Sequence, residues 1–178
     1  MAECLPPVEP FDDPVLRERL ARGHVAIIGC GGLGSNAAAM LLRSGVGELT
    51  LIDFDVVEPS NLNRQLFFRD QIGRPKTEAL AETLRRIMPE AVLHLHQTCV
   101  TEENLTSLIE HADVVIEAVD RADIKALIIN TVLCERPGLP LVGASGLAGL
   151  DSANEIVTER MAEDFYLIGD LTSDVRLG

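Results

Sequence analysis

The chain has 178 residues, 47% of them apolar and 24% charged, which is the composition of one folded domain rather than of a disordered chain. The formal net charge is −13 and there is no basic tail, so nucleic acid and anionic membranes are not expected as partners. No apolar run reaches the roughly 18 residues of a membrane span, the acidic start is unlike a signal peptide, and the four cysteines form no Cys-x-x-Cys pair. We therefore expect a cytoplasmic protein without a structural zinc site.

The chain begins with a segment that predicts no packed structure. Residues 1–12 are interpreted as a flexible leader, and residues 13–178 as a single domain. Asp13 followed by Pro14 is typical of a helix N-cap and first turn, so a short helix is expected to start there. Three basic side chains lie on this helix: Arg17, Arg19 and Arg22.

The strongest pattern in the chain is a strand, a glycine turn and a helix in direct succession. Four apolar residues, 25–28, lead into the glycines, and the helix is expected to run to about residue 43. The spacing fits Gly-x-Gly-x-x-Gly, in which backbone N–H groups approach a phosphate at the positive end of a helix. Asp53 ends the next apolar run, where an acid binds a ribose hydroxyl. The alternative is a turn that only allows close helix–strand packing. The glycines are Gly29, Gly31, Gly32 and Gly34.

A reversal of charge follows the second strand. Between residues 61 and 77 four cations stand against a single acid, Asp70, although the chain as a whole is acidic. Several cations facing one polyanion would explain this reversal better than solvation of a loop. The preceding loop, residues 54–65, is too polar and proline-broken to predict regular structure, and Asp55 and Glu58 are interpreted as loop-shaping. The cations are Arg64, Arg69, Arg74 and Lys76.

The rest of the chain alternates between helices and strands. This alternation predicts a Rossmann-like, doubly wound α/β fold with a mostly parallel sheet, in which the loops at the carboxyl ends of the strands form one crevice. Asp120 ends one of these strands and is a candidate for that crevice or for the N-cap of the next helix. Two short strands near the C-terminus are expected as antiparallel additions. The predicted elements are helices 76–88, 101–110 and 122–136 and strands 48–53, 91–96, 113–120, 140–145, 153–157 and 165–168.

Two histidines raise the question of a metal site. His94 and His96 point to the same face of a predicted strand, but no carboxylate or cysteine lies at an evident spacing to complete such a site. We therefore interpret them as an exposed strand face. Cys30, inside the glycine turn, is interpreted as a small residue rather than as a catalytic thiol.

These motifs together resemble those of the ThiF/MoeB-like adenylating enzymes, the bacterial relatives of ubiquitin-activating enzymes. The shared features are the glycine turn, the segment Asp53-Phe-Asp-x-Val-x-x-Ser-Asn-Leu-Asn-Arg-Gln65, the segment Gly73-x-Pro-Lys76 and Asp120. The similarity covers about residues 15–170, and the Ser-Asn-Leu-Asn-Arg-Gln block is far more specific than the glycines. The short chain and its segment 144–149 look most like the compact ThiF variants linked to thiamine biosynthesis.

The resemblance implies that ATP and Mg²⁺ activate a small ubiquitin-like sulfur carrier protein, similar to ThiS, that ends in Gly-Gly. The carrier's terminal carboxylate would attack the α-phosphate and give an acyl-adenylate and pyrophosphate. The glycine turn would hold the phosphates, Asp53 the ribose, and Asp120 the Mg²⁺. Orientation of the phosphates and neutralisation of their charge would fall to Asn61, Arg64, Gln65 and Lys76.

Dimeric members of the family imply a further feature, a homodimer in which an arginine of the N-terminal helix reaches the partner's active site. Arg17 is the first choice for this role, and a solvated helix face is the alternative. The chain departs from the longer members in lacking two Cys-x-x-Cys pairs and any cysteine after Ser145, so covalent sulfur chemistry is not expected. It also ends at Gly178, where the family continues into another helix, so a truncated C-terminus is expected.

Two rival functions fit part of the same pattern. An NAD(P)-dependent oxidoreductase would use the glycines and Asp53, but it would leave the Arg64–Lys76 region without a role. A non-catalytic nucleotide-binding partner subunit would not need intact Arg64, Lys76 and Asp120. ATP-dependent adenylation is therefore the leading expectation.

Overall fold

The computed structural model describes residues 13–146 and 152–170. The leader predicted over residues 1–12, part of the segment 144–149 and the chain end at residue 178 lie outside these ranges. The described part contains five α-helices: α1 (Pro14–Ala21), α2 (Gly32–Arg43), α3 (Lys76–Ile87), α4 (Glu102–Leu108) and α5 (Ala122–Glu135). The strands are β1 (His24–Ile28), β2 (Glu48–Ile52), β3 (Val92–His96), β4 (Val114–Glu117), β5 (Leu141–Ala144), β6 (Val157–Ala162) and β7 (Phe165–Gly169).

These strands form one sheet in the order β3-β2-β1-β4-β5-β7-β6. The first five strands in sequence pair in parallel, and β7 pairs in parallel with β5. Only β6 runs antiparallel, against β7. The predicted α/β, doubly wound and mostly parallel fold is therefore confirmed. Of the two C-terminal strands expected as antiparallel additions, one extends the parallel sheet.

The sheet buries both of its faces because helices cover each side. All five residues of β1 are buried, as expected for a central strand of a parallel sheet. Val25 and Ile27 belong to a core that α2 and α3 cover, whereas Ala26 and Ile28 belong to a second core that α4 and α5 cover. None of the described helices is long and apolar enough to span a membrane.

Two predicted segments differ from the structure. The strand predicted over 153–157 is instead a 3₁₀ turn, Ala153–Glu155, and β6 begins at Val157. The hydroxyl of Ser152 accepts a hydrogen bond from the backbone N–H of Asn154 at 3.3 Å, which favours a turn over an extended chain. The loop after β2, predicted to lack regular structure, contains the 3₁₀ turn Pro59–Asn61.

Candidate functional site

The sheet order places a crevice at the carboxyl ends of β1 and β4. The chain leaves β1 toward β2 on one side and leaves β4 toward β5 on the other, so the connecting helices diverge at this point. Open α/β sheets bind ligands at such a topological switch point. The glycine turn follows β1, and the loop that carries Asp120 follows β4.

Two glycines of the turn are required by the fold itself. Gly29 has a φ of +95°, and a Cβ there would lie 2.6 Å from the carbonyl oxygen of Ala118 at the end of β4. A Cβ at Gly34 would lie 1.8 Å from the carbonyl oxygen of Gly29. Any side chain at either position would therefore force β1, α2 and β4 apart.

The other two glycines face the crevice. A Cβ at Gly31 would meet only Nε2 of Gln65, at 3.8 Å, and a Cβ at Gly32 would meet the side chain of Arg64, at 3.4 Å. Gly31 is also the N-cap of α2 and supplies no side-chain cap. The first N–H groups of α2 can therefore receive an anion, next to Arg64 and Gln65.

The segment around Arg64 is fixed to the start of α2 by side chains of that helix. The backbone N–H of Leu66 donates to the hydroxyl of Ser35 at 3.0 Å. The amide of Asn36 donates to the carbonyl oxygen of Arg64 at 3.0 Å. Because these bonds involve the first turns of α2, Arg64 and Gln65 are held next to the glycine turn rather than on an independent loop.

The three predicted polar residues of this segment have different surroundings. Oδ1 of Asn61 accepts the backbone N–H of Glu58 at 3.0 Å, so its amide already shapes the loop. The exposed guanidinium of Arg64 donates to Oδ1 of Asn63 at 2.9 Å. Oε1 of Gln65 is buried and, within the described ranges, accepts no hydrogen bond. A buried acceptor without a donor is costly, and a hydroxyl or bound water of a ligand would satisfy it.

Asp53 is buried beneath the glycine turn. Its Oδ2 accepts the backbone N–H of Cys30 at 2.7 Å, and its Oδ1 accepts the backbone N–H of Asp55 at 2.8 Å. This carboxylate therefore ties the glycine turn to the loop after β2. Each oxygen keeps a second lone pair, which is what a ribose hydroxyl would need.

Lys76 is buried at the first position of α3 and pairs with Asp55. Its Nζ donates to Oδ2 of Asp55 at 2.8 Å, with the lysine side chain 7% exposed and the aspartate 47% exposed. A cation at a helix N-terminus is unfavourable for the helix dipole, so this placement is typical of a functional site rather than of helix stability. The sequence alone indicates only a loop-shaping role for Asp55, because Lys76 lies 21 positions away in the chain.

The pKa of Cys30, in the glycine turn, depends on burial and on the charges of Asp53 and Lys76. Burial raises the pKa of the Cys30 thiol well above its ordinary value, and Asp53 raises it further, while Lys76 lowers it. Contacts link Lys76 to the turn: its Nζ donates to Asp55, the backbone N–H of Asp55 donates to Asp53, and Asp53 accepts the backbone N–H of Cys30. The thiol stays protonated at neutral pH, which agrees with Cys30 as a small packing residue rather than a nucleophile.

Asp120 lies on the other side of the crevice, in the exposed loop between β4 and α5. Its carboxylate accepts no hydrogen bond from the residues that the structure describes, and the adjacent Arg121 forms its ion pair with Asp123 instead. The alternative role as N-cap is wrong, because the N-cap residue of α5 is Arg121. An exposed, unpartnered carboxylate suits a hard cation such as Mg²⁺.

The predicted cluster of four cations is divided in the structure. Arg64 and Lys76 lie next to the glycine turn, as described above. Arg74 instead forms an ion pair with Glu82 on α3, and Arg69 lies on an exposed 3₁₀ turn, Arg69–Gln71. Two of the four cations are thus placed for a polyanion in the crevice.

A buried ion pair below the crevice was not predicted from the sequence. Lys125 of α5 donates to both carboxylate oxygens of Glu117, at 2.8 and 2.7 Å, and to the carbonyl oxygen of Ala144 at 2.8 Å. Glu117 is completely buried at the end of β4. Burial raises the pKa of Glu117, whereas the hydrogen bond from Lys125 lowers it. The sequence does contain one signal for this pair: Glu117 lies within the apolar run of β4, and a buried carboxylate requires a cation or hydrogen-bond donors as partners.

Comparisons with known proteins show which family this chain resembles. A profile of the ThiF family matches residues 7–160. The tRNA threonylcarbamoyladenosine dehydratase of Escherichia coli K12 is 37% identical over 145 residues, which are 80% of this chain and 53% of that protein. The adenylyltransferase and sulfurtransferase MOCS3 of Xenopus laevis is 37% identical over 130 residues, which are 72% of this chain and 28% of that protein.

A solved structure gives the same result. The Escherichia coli tRNA N6-threonylcarbamoyladenosine dehydratase TcdA, in complex with ATP, has a TM-score of 0.77 and 35% identity over 84% of this chain and 62% of that chain. The chain therefore spans only about half or less of the length of the curated relatives named here.

Proposed function

We propose that this chain, which belongs to the ThiF family, uses ATP to adenylate the terminal carboxylate of a small ubiquitin-like carrier protein. The observation that carries the proposal is the pairing of two features in one crevice. The N-terminus of α2 lacks a side-chain cap at Gly31, and the buried Lys76 is linked to the same glycine turn through Asp55 and Asp53. A crevice with both features suits a polyphosphate. The relative TcdA, whose solved complex contains ATP, supports ATP as the nucleotide.

The reaction follows from what the residues can do. The N–H groups of α2 and the cations of Arg64 and Lys76 would hold the triphosphate, while Asp53 would bind the ribose. The carrier carboxylate forms a new bond to the α-phosphorus as the bond to the pyrophosphate oxygen breaks, and acyl-adenylate and pyrophosphate result. Both reactants are anions, so their approach requires this positive charge. Asp120 would hold Mg²⁺, which supplies further charge neutralisation when bound.

Lys76 is well suited to neutralise the negative charge that a bound nucleotide brings into the crevice. An ammonium group has three donors, and among the described residues that of Lys76 donates only to Asp55. The other two donors remain for phosphate oxygens. Asp55 keeps the lysine in the crevice without ATP, because an unpaired buried ammonium would be costly.

A sulfur carrier of the thiamine pathway is the carrier that the resemblance to short ThiF variants favours. The proposed assembly is a homodimer in which Arg17 of α1 reaches the partner's site. Asp13 begins this helix by accepting the backbone N–H of Val15 at 2.9 Å, as the sequence predicts. The arginine would then stabilise the departing pyrophosphate in the assembled dimer.

A second candidate substrate is a modified tRNA nucleoside, because the relative from Escherichia coli is a tRNA threonylcarbamoyladenosine dehydratase. The net charge of −13 opposes binding of a polyanionic RNA by this chain, so a protein carboxylate is favoured. An oxidoreductase would use the glycines but would leave Lys76 and the orphaned Oε1 of Gln65 without a role.

Exchange of labelled pyrophosphate into ATP tests the proposal. We expect exchange with a carrier that ends in Gly-Gly, and none when the carrier's C-terminus is amidated. A parallel reaction with tRNA in place of the carrier tests the second candidate. Exchange that ignores the amidation would contradict an acyl-adenylate. Stabilisation by NAD rather than by ATP in a thermal shift would instead support the oxidoreductase, since a ligand at about 100 times its Kd adds roughly 2.7 kcal/mol.

A further inference from the structure

A second cluster of chemically active side chains lies toward the amino-terminal ends of the strands, away from the crevice at their carboxyl ends. His24 and Glu48 begin β1 and β2 and are paired in register, and His94 of β3 is paired with Thr50 of β2. Paired residues and residues two apart share a face of a sheet, so all four side chains lie on one face. The sequence alone shows no partner for His94, because the carboxylate and the second histidine come from two other strands.

The three metal-ligating side chains are close to one another. Nε2 of His94 lies 2.6 Å from Oε1 of Glu48, and Nδ1 of His24 lies 3.6 Å from the same oxygen. One ligand atom from each of the three residues lies within 4.8 Å of the others. In a tetrahedral site with ligand distances of about 2.0–2.2 Å, ligand atoms are about 3.3–3.6 Å apart, so small rotations of these side chains would suffice.

A second observation concerns the orientation of His24. Its Nε2 lies 2.7 Å from the hydroxyl of Thr50, and both residues are buried. When Nε2–H donates to this hydroxyl, Nδ1 carries the lone pair and faces Glu48. Histidines that bind metals usually donate their other ring N–H to a fixed acceptor in this way.

The three side chains of the cluster differ in how far solvent reaches them. His24 is buried, the Glu48 side chain is 35% exposed and that of His94 is 46% exposed. The site is therefore anchored on the inside and open to solvent at His94. Two imidazoles and one carboxylate with an open position for water form a ligand set that zinc accepts, and imidazole also suits Ni²⁺ and Co²⁺.

We propose that His24, Glu48 and His94 bind a divalent transition-metal ion, with Zn²⁺ as the first choice, and thereby join the starts of β1 and β2 to the middle of β3. The ion takes the place of the hydrogen bond between His94 and Glu48. The site contains no cysteine and is unrelated to the Cys-x-x-Cys pairs of longer ThiF members. It is also separate from the crevice, because it lies at the amino-terminal side of the sheet.

Equilibrium dialysis of the metal-free chain against Zn²⁺ measures the stoichiometry. We expect one bound ion, and a rise in Tm of about 5 °C or more when Zn²⁺ is present at about 100 times its Kd. His94→Ala removes an exposed ligand and should abolish the Tm rise while the chain still folds. Thr50→Val leaves all three ligands in place and should weaken binding by about 10- to 100-fold.

His96→Ala is the matched control, since His96 lies on the same strand and face but outside the cluster. It should leave Zn²⁺ binding unchanged. Co²⁺ substitution identifies the ligands, because thiolates give an intense charge-transfer band that nitrogen and oxygen ligands lack. Equal binding by His94→Ala, a thiolate band from Cys99 or Cys134, or no Zn²⁺-dependent rise in Tm would each overturn the proposal.

Discussion

Two lysine–carboxylate pairs on opposite sides of the crevice have inverse arrangements. In the pair on the β2 side the lysine, Lys76, is buried and its partner Asp55 is half exposed. In the pair on the β4 side the carboxylate of Glu117 is completely buried and Lys125 is the more accessible member. The pairs therefore differ in which charge the protein removes from water.

The two lysines also differ in how far their donors are used. Lys125 donates to three oxygens, two of Glu117 and one of Ala144, so its ammonium group is saturated. Lys76 donates to one oxygen among the described residues. We infer that the Lys125 pair holds the start of α5 to the ends of β4 and β5, whereas the Lys76 pair keeps a cation ready for an anionic ligand.

The largest effect is expected from Lys125→Met. The change leaves Glu117 buried without its cation, and breaking a buried pair in this way costs about 3–5 kcal/mol. For a chain of this size the Tm should fall by roughly 6 °C or more, as measured by calorimetry. The double variant Lys125→Met/Glu117→Gln removes the orphaned charge and should regain part of the loss. A single variant as stable as the parent would show that the pair does not hold these elements together.

Lys76→Met should give the reverse result. Its partner Asp55 reaches solvent, so the free energy of unfolding should change by less than about 1 kcal/mol. Pyrophosphate exchange should slow by about 10²-fold or more, which corresponds to roughly 3 kcal/mol of transition-state stabilisation. Exchange rates and Tm values measured for both lysine variants check the comparison directly. A Lys76 variant that unfolds while its folded fraction remains fully active would reverse the assignment.

The comparison also shows what the sequence could and could not reveal. The glycine turn, the strand that precedes it and the acid at Asp53 were predictable because their signals are local in the chain. The partners of Lys76 and Lys125 were not, because Asp55 and Glu117 come from other elements that only the folded sheet brings near. The same limit applies to His94, whose carboxylate partner Glu48 lies on the neighbouring strand.

Where the structure departs from the predicted pattern, the cause is different. The charge along residues 61–77 predicts several cations around one polyanion without showing which ones, and Arg74 pairs instead with Glu82 on the next helix. The strand predicted at residue 153 begins only at Val157 because the preceding residues form a turn. In both cases an interaction between residues near each other in the chain, the Arg74–Glu82 ion pair or the turn Ala153–Glu155, determines the structure, and composition does not reveal it.

A smaller difference in pyrophosphate exchange rate is expected between variants of two exposed arginines on the Lys76 side, Arg64 and Arg69. Arg64 packs over Gly32, whereas Arg69 is an exposed residue at the start of the 3₁₀ turn Arg69–Gln71. Arg64→Ala should slow exchange by about 10- to 100-fold, and Arg69→Ala should leave it within about twofold. Matched rate measurements at two salt concentrations test this difference. Equal losses would mean that general positive charge, rather than the position of Arg64, assists binding.

The smallest effect is expected in the pH dependence of stability on the Lys125 side. Burial raises the pKa of Glu117 in the folded chain, and the hydrogen bond from Lys125 offsets only part of this shift. Between the ordinary pKa of glutamate and this raised value, the folded chain binds more protons than the unfolded chain. The contribution of Glu117 to the free energy of unfolding must therefore fall as the pH rises through that window.

Glu117→Gln stays neutral throughout this window and should lose that part of the slope. Denaturant unfolding of the parent and the variant from about pH 4 to pH 7 measures it, because any constant loss from the missing ion pair cancels in the slopes. Glu90→Gln, at an exposed position, controls for the loss of one negative charge. Parallel stability curves for the parent and Glu117→Gln would show that Lys125 fully compensates for burial. Glu117 would then be charged at all these pH values. Its pair would resemble the Lys76 pair in that the buried group keeps its charge.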